Sequence, residues 1–347
     1  MKKVSILLCC AIILALLLTA CSTHSPEITE STESTAPMTT EPQPVTVQTL
    51  QVVSMPDKTQ YLLGEDFDAT GMVINAVMSD GSVVEDVAWS LPNDLFLTTN
   101  TTGVKVSFEG KSAMIPVVVR HPGNVDIYSV ANFETTENSP LKGKVFFWLG
   151  SSVTLGSASL NESMADFLAK KHDCTCIKEA VNGTTLATYK KNSYVDRLNA
   201  YIDSSERVEH LDAVIVQLST NDQTQPEKFG VVTADDVRDP SAFDTATTFG
   251  AMEYIVATAK QTWDCPVLFY ANPPTEFSSY MDMVMGLYEI AAKWDVVVID
   301  MYMDLEFNSM PTEEQRELWM SDKIHPTKAG YRDWWLPKFE KALLSID

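Results

Sequence analysis

Residues 144–156 read Lys-Val-Phe-Phe-Trp-Leu-Gly-Ser-Ser-Val-Thr-Leu-Gly, an apolar run that stops abruptly in a Gly-Ser turn. The run is too short for a helix, carries strand-forming side chains and is bounded by Gly150, so it predicts a buried parallel strand covered on both faces. A parallel strand reaches its neighbour only through a crossover, and that requirement constrains everything downstream. Strand and helix patterns do alternate there. A helix is expected near 159–172, a strand near 175–181, a helix near 193–204 and a strand over 213–218. After a polar insertion come a helix near 246–262, a strand over 267–271, a helix near 280–294, a strand over 296–300 and a last helix from 327 to 346. Five strands with intervening helices predict a three-layer α/β sandwich built on one parallel sheet.

Ligands of such sheets bind at the carboxyl ends of the strands, so the loops found there carry the chemistry. After the first strand comes Ser152; after the second, Val181-Asn182-Gly183-Thr184-Thr185; after the third, Ser219-Thr220-Asn221-Asp222. The fifth is followed by a helix and then by Asp322-Lys-Ile-His325-Pro326. A hydroxyl, backbone and side-chain amide donors, an imidazole and a carboxylate therefore share one edge, the inventory required for acyl transfer. Serine is a poor nucleophile until a base takes its proton, and the base works best when a third group fixes its tautomer. The stretch Gly150 to Gly156 matches neither a dinucleotide fingerprint nor a lysine-bearing phosphate loop, and no cofactor is expected. The histidines outside this set, His24, His121, His172 and His210, fall in a tether, a connector, a helix end and a pre-strand turn. They read as solvated or satisfied side chains, and no metal site is expected.

These residues resemble the four sequence blocks of the SGNH (GDSL-type) hydrolases, over roughly 140 to 347. The first block, Gly-Asp-Ser-x-Thr in the family, lies on Gly150-Ser151-Ser152-Val153-Thr154; the block glycine falls on Gly183, the asparagine on Asn221, and the closing Asp-x-x-His on Asp322 and His325. Two positions depart from the pattern: Ser151 stands where the family has Asp, and Ser219 where the third block has Gly. The resemblance implies a flavodoxin-like sandwich with a five-stranded parallel sheet, a Ser152–His325–Asp322 triad, and an oxyanion hole made by the N–H groups of Ser152 and Gly183 and the amide of Asn221.

Upstream the chain changes character three times. Met1 to Ala20 has a basic start, an apolar stretch and a small-residue end, an export signal and not a fold element. Its Leu-Thr-Ala-Cys21 ending resembles a bacterial lipoprotein signal, which implies cleavage before Cys21, lipidation of its thiol and an anchor on the outer face of the cell membrane. Residues 21–48 are rich in Ser, Thr, Pro and Glu and poor in large apolar side chains, so they read as a disordered tether. From 49 to 121, short alternating runs separated by Asp80-Gly81 and Glu109-Gly110 predict the hairpins of an all-β sandwich. Lys58-Thr-Gln-Tyr61-x-x-Gly64-Glu65 and the closing Gly110-Lys-Ser-Ala-Met-Ile-Pro resemble bacterial immunoglobulin-like domains, for which a spacer or a glycan-binding role is expected. A connector, 122–142, leads to the α/β domain, 143–347.

A net charge of −22, with no basic cluster to offset it, argues against nucleic acid as a partner. Beyond the signal and Cys21 only Cys174, Cys176 and Cys265 remain, too few and too irregularly spaced for a disulfide framework or a structural zinc site. The insertion 223–245 is mostly polar with two prolines and shows no amphipathic lid helix. The expected activity is therefore hydrolysis of short acyl esters, acetyl foremost, on a carbohydrate. A lipase or lysophospholipase, a glycan acyltransferase and a non-catalytic surface adhesin are the alternatives.

Overall fold

The computed structural model describes residues 43–346. The export signal, Cys21 and the tether as far as residue 42 lie outside the described residues.

The first domain is all β. Strands β1 (Val47–Ser54), β3 (Val73–Met78) and β4 (Val83–Val84) form one antiparallel sheet, β2 (Gln60–Leu62) pairs with β7 (Val118–Arg120) in parallel, and β5 (Gly103–Phe108) pairs with β6 (Lys111–Pro116) as a hairpin. Both turn residues of that hairpin, Glu109 and Gly110, have positive φ, the geometry that matches the twist of the flanking strands. Alternation places Val47, Tyr61, Ile74, Val104, Val106 and Ile115 inward, in a core separate from those of the second domain. β1 opens at Val47, ahead of the expected boundary at 49, because Val47 is already part of that core.

In the second domain β8 (Val145–Gly150), β9 (Thr175–Ala180), β10 (Ala213–Gln217), β11 (Val267–Ala271) and β12 (Val297–Asp300) make one parallel sheet in the order β12-β11-β10-β8-β9. That is the flavodoxin-like order, and its switch point lies between the ends of β8 and β10. Side chains on one face of the sheet, such as Phe147, Val214 and Phe269, pack on α3 (Tyr194–Ile202), α4 (Thr248–Trp263) and α5 (Ser279–Trp294). On the other face Phe146, Trp148, Ile215 and Tyr270 meet α2 (Met164–His172) and the C-terminal α8 (Leu336–Leu343).

Two helices differ from expectation. The one placed near 159–172 begins at Met164, behind a one-turn helix α1 (Ser152–Leu155). Gly156, Leu160 and Asn161 all have positive φ and break the winding, and a Ser163–Asp166 capping box restarts it. The last helix is wound as a widened π turn over Gly330–Trp335 before α8. Pro337 has no N–H to give the carbonyl of Asp333, which removes one rung of an α ladder there.

The connector is a packed part of the second domain. Its turns at Pro122–Asn124, Asp126–Tyr128 and Val130–Asn132 are stapled down by buried polar groups. Asn124 Nδ2 donates to the Ala158 carbonyl (2.7 Å), while its Oδ1 accepts from the Lys328 N–H (2.9 Å). The carboxylate of Glu162 accepts from Ser129 Oγ (2.8 Å) and the Val130 N–H (2.6 Å) and pairs with the buried Lys328 (2.7 Å). Partial burial works against the charge of Glu162, but these partners hold its carboxyl below the ordinary range. At Gly123 a Cβ would collide with the Leu318 carbonyl and Thr327, so only glycine lets the connector lie this close to the segment that carries Asp322 and His325.

Candidate active site

Ser152 opens α1 directly after the end of β8, where its own N–H has no intrahelical acceptor. The sharp departure from the strand depends on Gly150: a Cβ there would run into the side chain of Thr154. Beneath the turn lies a fully buried polar cluster. Gln217 Oε1, at the end of β10, accepts from the Ser151 N–H (2.9 Å), from Ser151 Oγ (3.2 Å) and from Thr154 Oγ1 (2.9 Å). Without that oxygen these buried donors would each forfeit about 1–3 kcal/mol. Thr154 Oγ1 is also 2.6 Å from the hydroxyl of Tyr270 on β11, so three adjacent strands fix the turn.

The loop after β9 is locked to the loop after β10. Asn221 Nδ2 donates to the Thr184 carbonyl (2.8 Å), and Asp222 accepts from the N–H groups of Leu186 (2.9 Å) and Ala187 (3.4 Å). Burial pushes the Asp222 carboxyl up in spite of the hydrogen bonds it accepts. Arg197, buried on α3, bridges the same pieces by donating to the carbonyls of Gly150 (2.8 Å) and Glu179 (2.7 Å) and to Thr184 Oγ1 (3.2 Å). Gly183, with φ +72°, stands exposed at the tip, its Cα facing open space. An asparagine amide has two N–H bonds, so the one given to Thr184 leaves a second for another acceptor.

The fifth loop follows α6 (Leu305–Ser309) and α7 (Glu313–Trp319). A bridge between Met320 and Pro326 closes it, with Ser321 N–H donating to the His325 carbonyl (2.9 Å) and Thr327 N–H to that of Trp319 (2.9 Å). Asp322 Oδ1 accepts from the N–H groups of Ile324 and His325 (both 2.8 Å), and Oδ2 lies 2.8 Å from His325 Nδ1. Partial desolvation works against the Asp322 carboxylate, but the His325 ring and the two backbone N–H groups outweigh it and hold the carboxyl down to about 2. His325 Nε2 is 2.8 Å from Ser152 Oγ. Hydroxyl, imidazole and carboxylate therefore form an unbroken hydrogen-bonded line, the arrangement needed to draw a proton from serine.

The structure thus brings Ser152, His325 and Asp322 into contact and fixes the Gly183 and Asn221 loops against each other. Ser151 and Ser219, where the sequence departs from the family pattern, are both buried: Ser151 binds Gln217, and Ser219 Oγ accepts from the Asn221 N–H (3.1 Å). Among the described cysteines, Cys174, Cys176 and Cys265 are free thiols, and no cluster of metal-ligating side chains occurs among the described residues. His172 is satisfied, between Ser139 Oγ (2.6 Å) and Glu340 (2.7 Å). His121 is buried and accepts the Gly123 N–H at Nδ1 (3.1 Å), yet it also lines a cleft that His325 shares. Sequence reasoning missed Gln217 and Arg197. The signal for Gln217 was present, a single polar residue inside the apolar run 213–218 just ahead of a functional block.

The sequence profile of the GDSL-like Lipase/Acylhydrolase family matches residues 148–332, and that of the bacterial Ig-like domain (group 3) matches 54–119. No curated protein matches the chain. Solved structures similar to it include a protein from Lactobacillus plantarum, at 20% identity and a TM-score of 0.47, covering 59% of this chain and 98% of that one. Another is a member of the lipolytic protein G-D-S-L family from Veillonella parvula, at 14% identity and a TM-score of 0.43, covering 58% and 100%. An acetyl xylan esterase is similar at 14% identity and a TM-score of 0.39, covering 57% and 98%.

Proposed function

This chain belongs to the GDSL-like lipase/acylhydrolase family and is a carboxylic ester hydrolase; from that premise we propose that Ser152 is its nucleophile, His325 its general base and Asp322 the group that orients the base. The observation that carries the reading is the 2.8 Å approach of Ser152 Oγ to His325 Nε2, with Asp322 Oδ2 2.8 Å from the opposite ring nitrogen. In the reaction Ser152 Oγ attacks the ester carbonyl as its proton passes to His325 Nε2, and Asp322 stabilises the imidazolium. Charge growing on the carbonyl oxygen is met by the N–H groups of Ser152 and Gly183 and by the second N–H of Asn221. His325 then protonates the departing alcohol, and water, deprotonated by the same imidazole, releases the acid and restores Ser152.

The acyl group is short, acetyl foremost, and the alcohol is a carbohydrate. Each methylene of a long chain gains about 0.8 kcal/mol only where an apolar surface receives it. The insertion after Asn221 offers no such surface: it consists of short turns at Asp222–Thr224, Pro226–Lys228 and Pro240–Ala242. Its aromatic residues, Phe229 and Phe243, are buried in the core beneath it. The deciding measurement is kcat/KM on 4-nitrophenyl acetate, butyrate, octanoate and palmitate. The expected optimum is at two to four carbons, and one at eight or more would assign the enzyme to lipid esters instead.

The protein acts at the outer face of the bacterial cell membrane, held there by lipid on Cys21; the Leu-Thr-Ala-Cys sequence at 18–21 supports this. Two or more acyl chains give a stable anchor where one does not. Cys21→Ser is expected to abolish incorporation of radiolabelled palmitate and to shift the protein out of the membrane fraction. Unchanged labelling would remove Cys21 from that role.

A further inference from the structure

The Ig-like domain meets the candidate active site. Only His121 separates the end of β7, at Arg120, from the first turn of the packed connector, which begins at Pro122. The junction has no slack, since the Arg120 carbonyl accepts from the Leu63 N–H (2.8 Å) on one side and His121 caps the connector turn on the other. A cleft of about 510 Å³ results, with Thr99, Asn100 and Arg120 of the β domain on one wall, His121 at the junction, and Asp322 and His325 on the other wall. That volume lies within the range of about 300–1,000 Å³ usual for small-molecule sites.

Three features indicate what the cleft receives. First, it is lined by His325 and Asp322 but not by Gly183 or Asn221. The oxyanion donors mark where the acyl carbonyl sits, and the imidazole must reach the leaving oxygen, so a cleft on the imidazole side holds the alcohol part of an ester. Second, its lining is hydrogen-bonding. His121 accepts at Nδ1, which leaves its proton on Nε2 as a donor, and burial favours the neutral ring. Arg120 uses one guanidinium nitrogen on Asp126 (3.3 Å) out of a fork of five N–H bonds. Leu160 is the one large apolar side chain that the cleft exposes. Third, the charges do not suit an anion, because Arg120 is already paired with Asp126 and the Asp322 carboxylate forms part of the opposite wall. Mixed donors and acceptors without net positive charge fit a neutral polyhydroxylated alcohol.

We propose that this cleft binds the carbohydrate alcohol of the ester, with Thr99, Asn100, Arg120 and His121 contacting its hydroxyls, so that the Ig-like domain forms half of the substrate site. The inference rests on ester hydrolysis by Ser152 and adds to it the location of the leaving group. It also replaces the expectation of a spacer domain.

Thr99 and Asn100 can be changed without loosening their turn. The turn is closed by the Thr101 N–H to the Thr98 carbonyl (2.8 Å), and Thr101 Oγ1 accepts from the Thr98 N–H (3.0 Å), so neither central side chain is needed for closure. The test uses the full chain and its T99A/N100A variant, with 4-nitrophenyl acetate and a partially O-acetylated glucose or xylose tetrasaccharide as substrates. Both substrates present the same acyl group and differ only in the alcohol. The variant is expected to lose at least about tenfold in kcat/KM on the saccharide, mainly through KM, the size of effect that loss of one or two neutral hydrogen bonds produces. Turnover of the aryl acetate should stay within about twofold of wild type, because that leaving group makes no use of the turn. N100W, which fills the cleft from the same turn, should reproduce the selective loss. Equal effects on both substrates, or none on either, would overturn the proposal. Wild-type enzyme that cleaves the aryl acetate but no acetylated saccharide would also overturn it while leaving ester hydrolysis by Ser152 intact. Absence of any serine-dependent esterase activity would instead bring down the reading on which it rests.

Discussion

Replacing Ser152 by alanine is expected to lower kcat by about a millionfold, the scale seen when a triad nucleophile is removed, while the folded protein remains as stable as wild type within about 1 kcal/mol. The side chain is half-buried and its hydroxyl is hydrogen-bonded to His325, so the fold loses one contact at the surface of a cleft. Ser151→Ala should behave in the opposite way. Ser151 is fully buried, and its hydroxyl bonds Gln217 Oε1, which keeps the Ser151 N–H and Thr154 as partners after the change. A modest loss of stability, about 1 kcal/mol, with most activity retained, is the expected result. Activity assays paired with thermal unfolding separate the two; reversed phenotypes would shift the first block by one residue and move the nucleophile to Ser151.

The second large effect is expected at Asp322. Its two carboxylate oxygens have different work: Oδ1 holds the N–H groups of Ile324 and His325, and Oδ2 faces His325 Nδ1. In Asp322→Asn the amide oxygen can keep the two backbone bonds, so the loop survives, but the amide nitrogen then faces Nδ1 and cannot accept from it. The ring is forced to carry its proton on Nε2, where it can no longer take one from Ser152. A loss of about 10⁴ in kcat with little change in KM is expected, as for a triad held in the wrong tautomer. Retention of more than a tenth of the activity would show that His325 is oriented by something else.

Asp322 also sets the sign of a pH effect. Its carboxyl is depressed to about 2 in the folded protein, so whatever it contributes is complete above the ordinary value of 3.8 and is lost only as pH falls toward 2. The acid limb of kcat/KM should therefore follow the loss of one neutral imidazole, with a slope of one against pH. A slope of two above pH 4 would require a second group.

The sheet and the triad were legible in the sequence because each rests on local chemistry. Runs such as Val145–Gly150 and Val267–Ala271 are apolar throughout, as strands buried on both faces must be, and the polar blocks follow at their carboxyl ends. The internal supports were less legible. Gln217 and Arg197 are polar residues whose partners, Ser151 and Thr154 in one case and the Gly150 carbonyl in the other, lie 20 to 66 positions away or more, and no local pattern announces such pairings. The connector deceived for another reason. His121-Pro122-Gly123 has the composition of a flexible turn, but the glycine is there for close packing on Leu318 and Thr327. The resulting placement of Thr99 and Asn100 beside His325 depends on how two independent cores dock, which hydrophobic periodicity does not encode.

The central claim, that Ser152 is the activated nucleophile, is tested most directly by treating the full chain with a fluorophosphonate and mapping the adduct by peptide mass spectrometry. One adduct per chain on the peptide containing residues 151–152, fragmenting to Ser152 and absent from Ser152→Ala and Asp322→Asn, is the result expected. An adduct on Ser151 or on a serine remote from His325, or no adduct on protein that turns over aryl acetate, would contradict it.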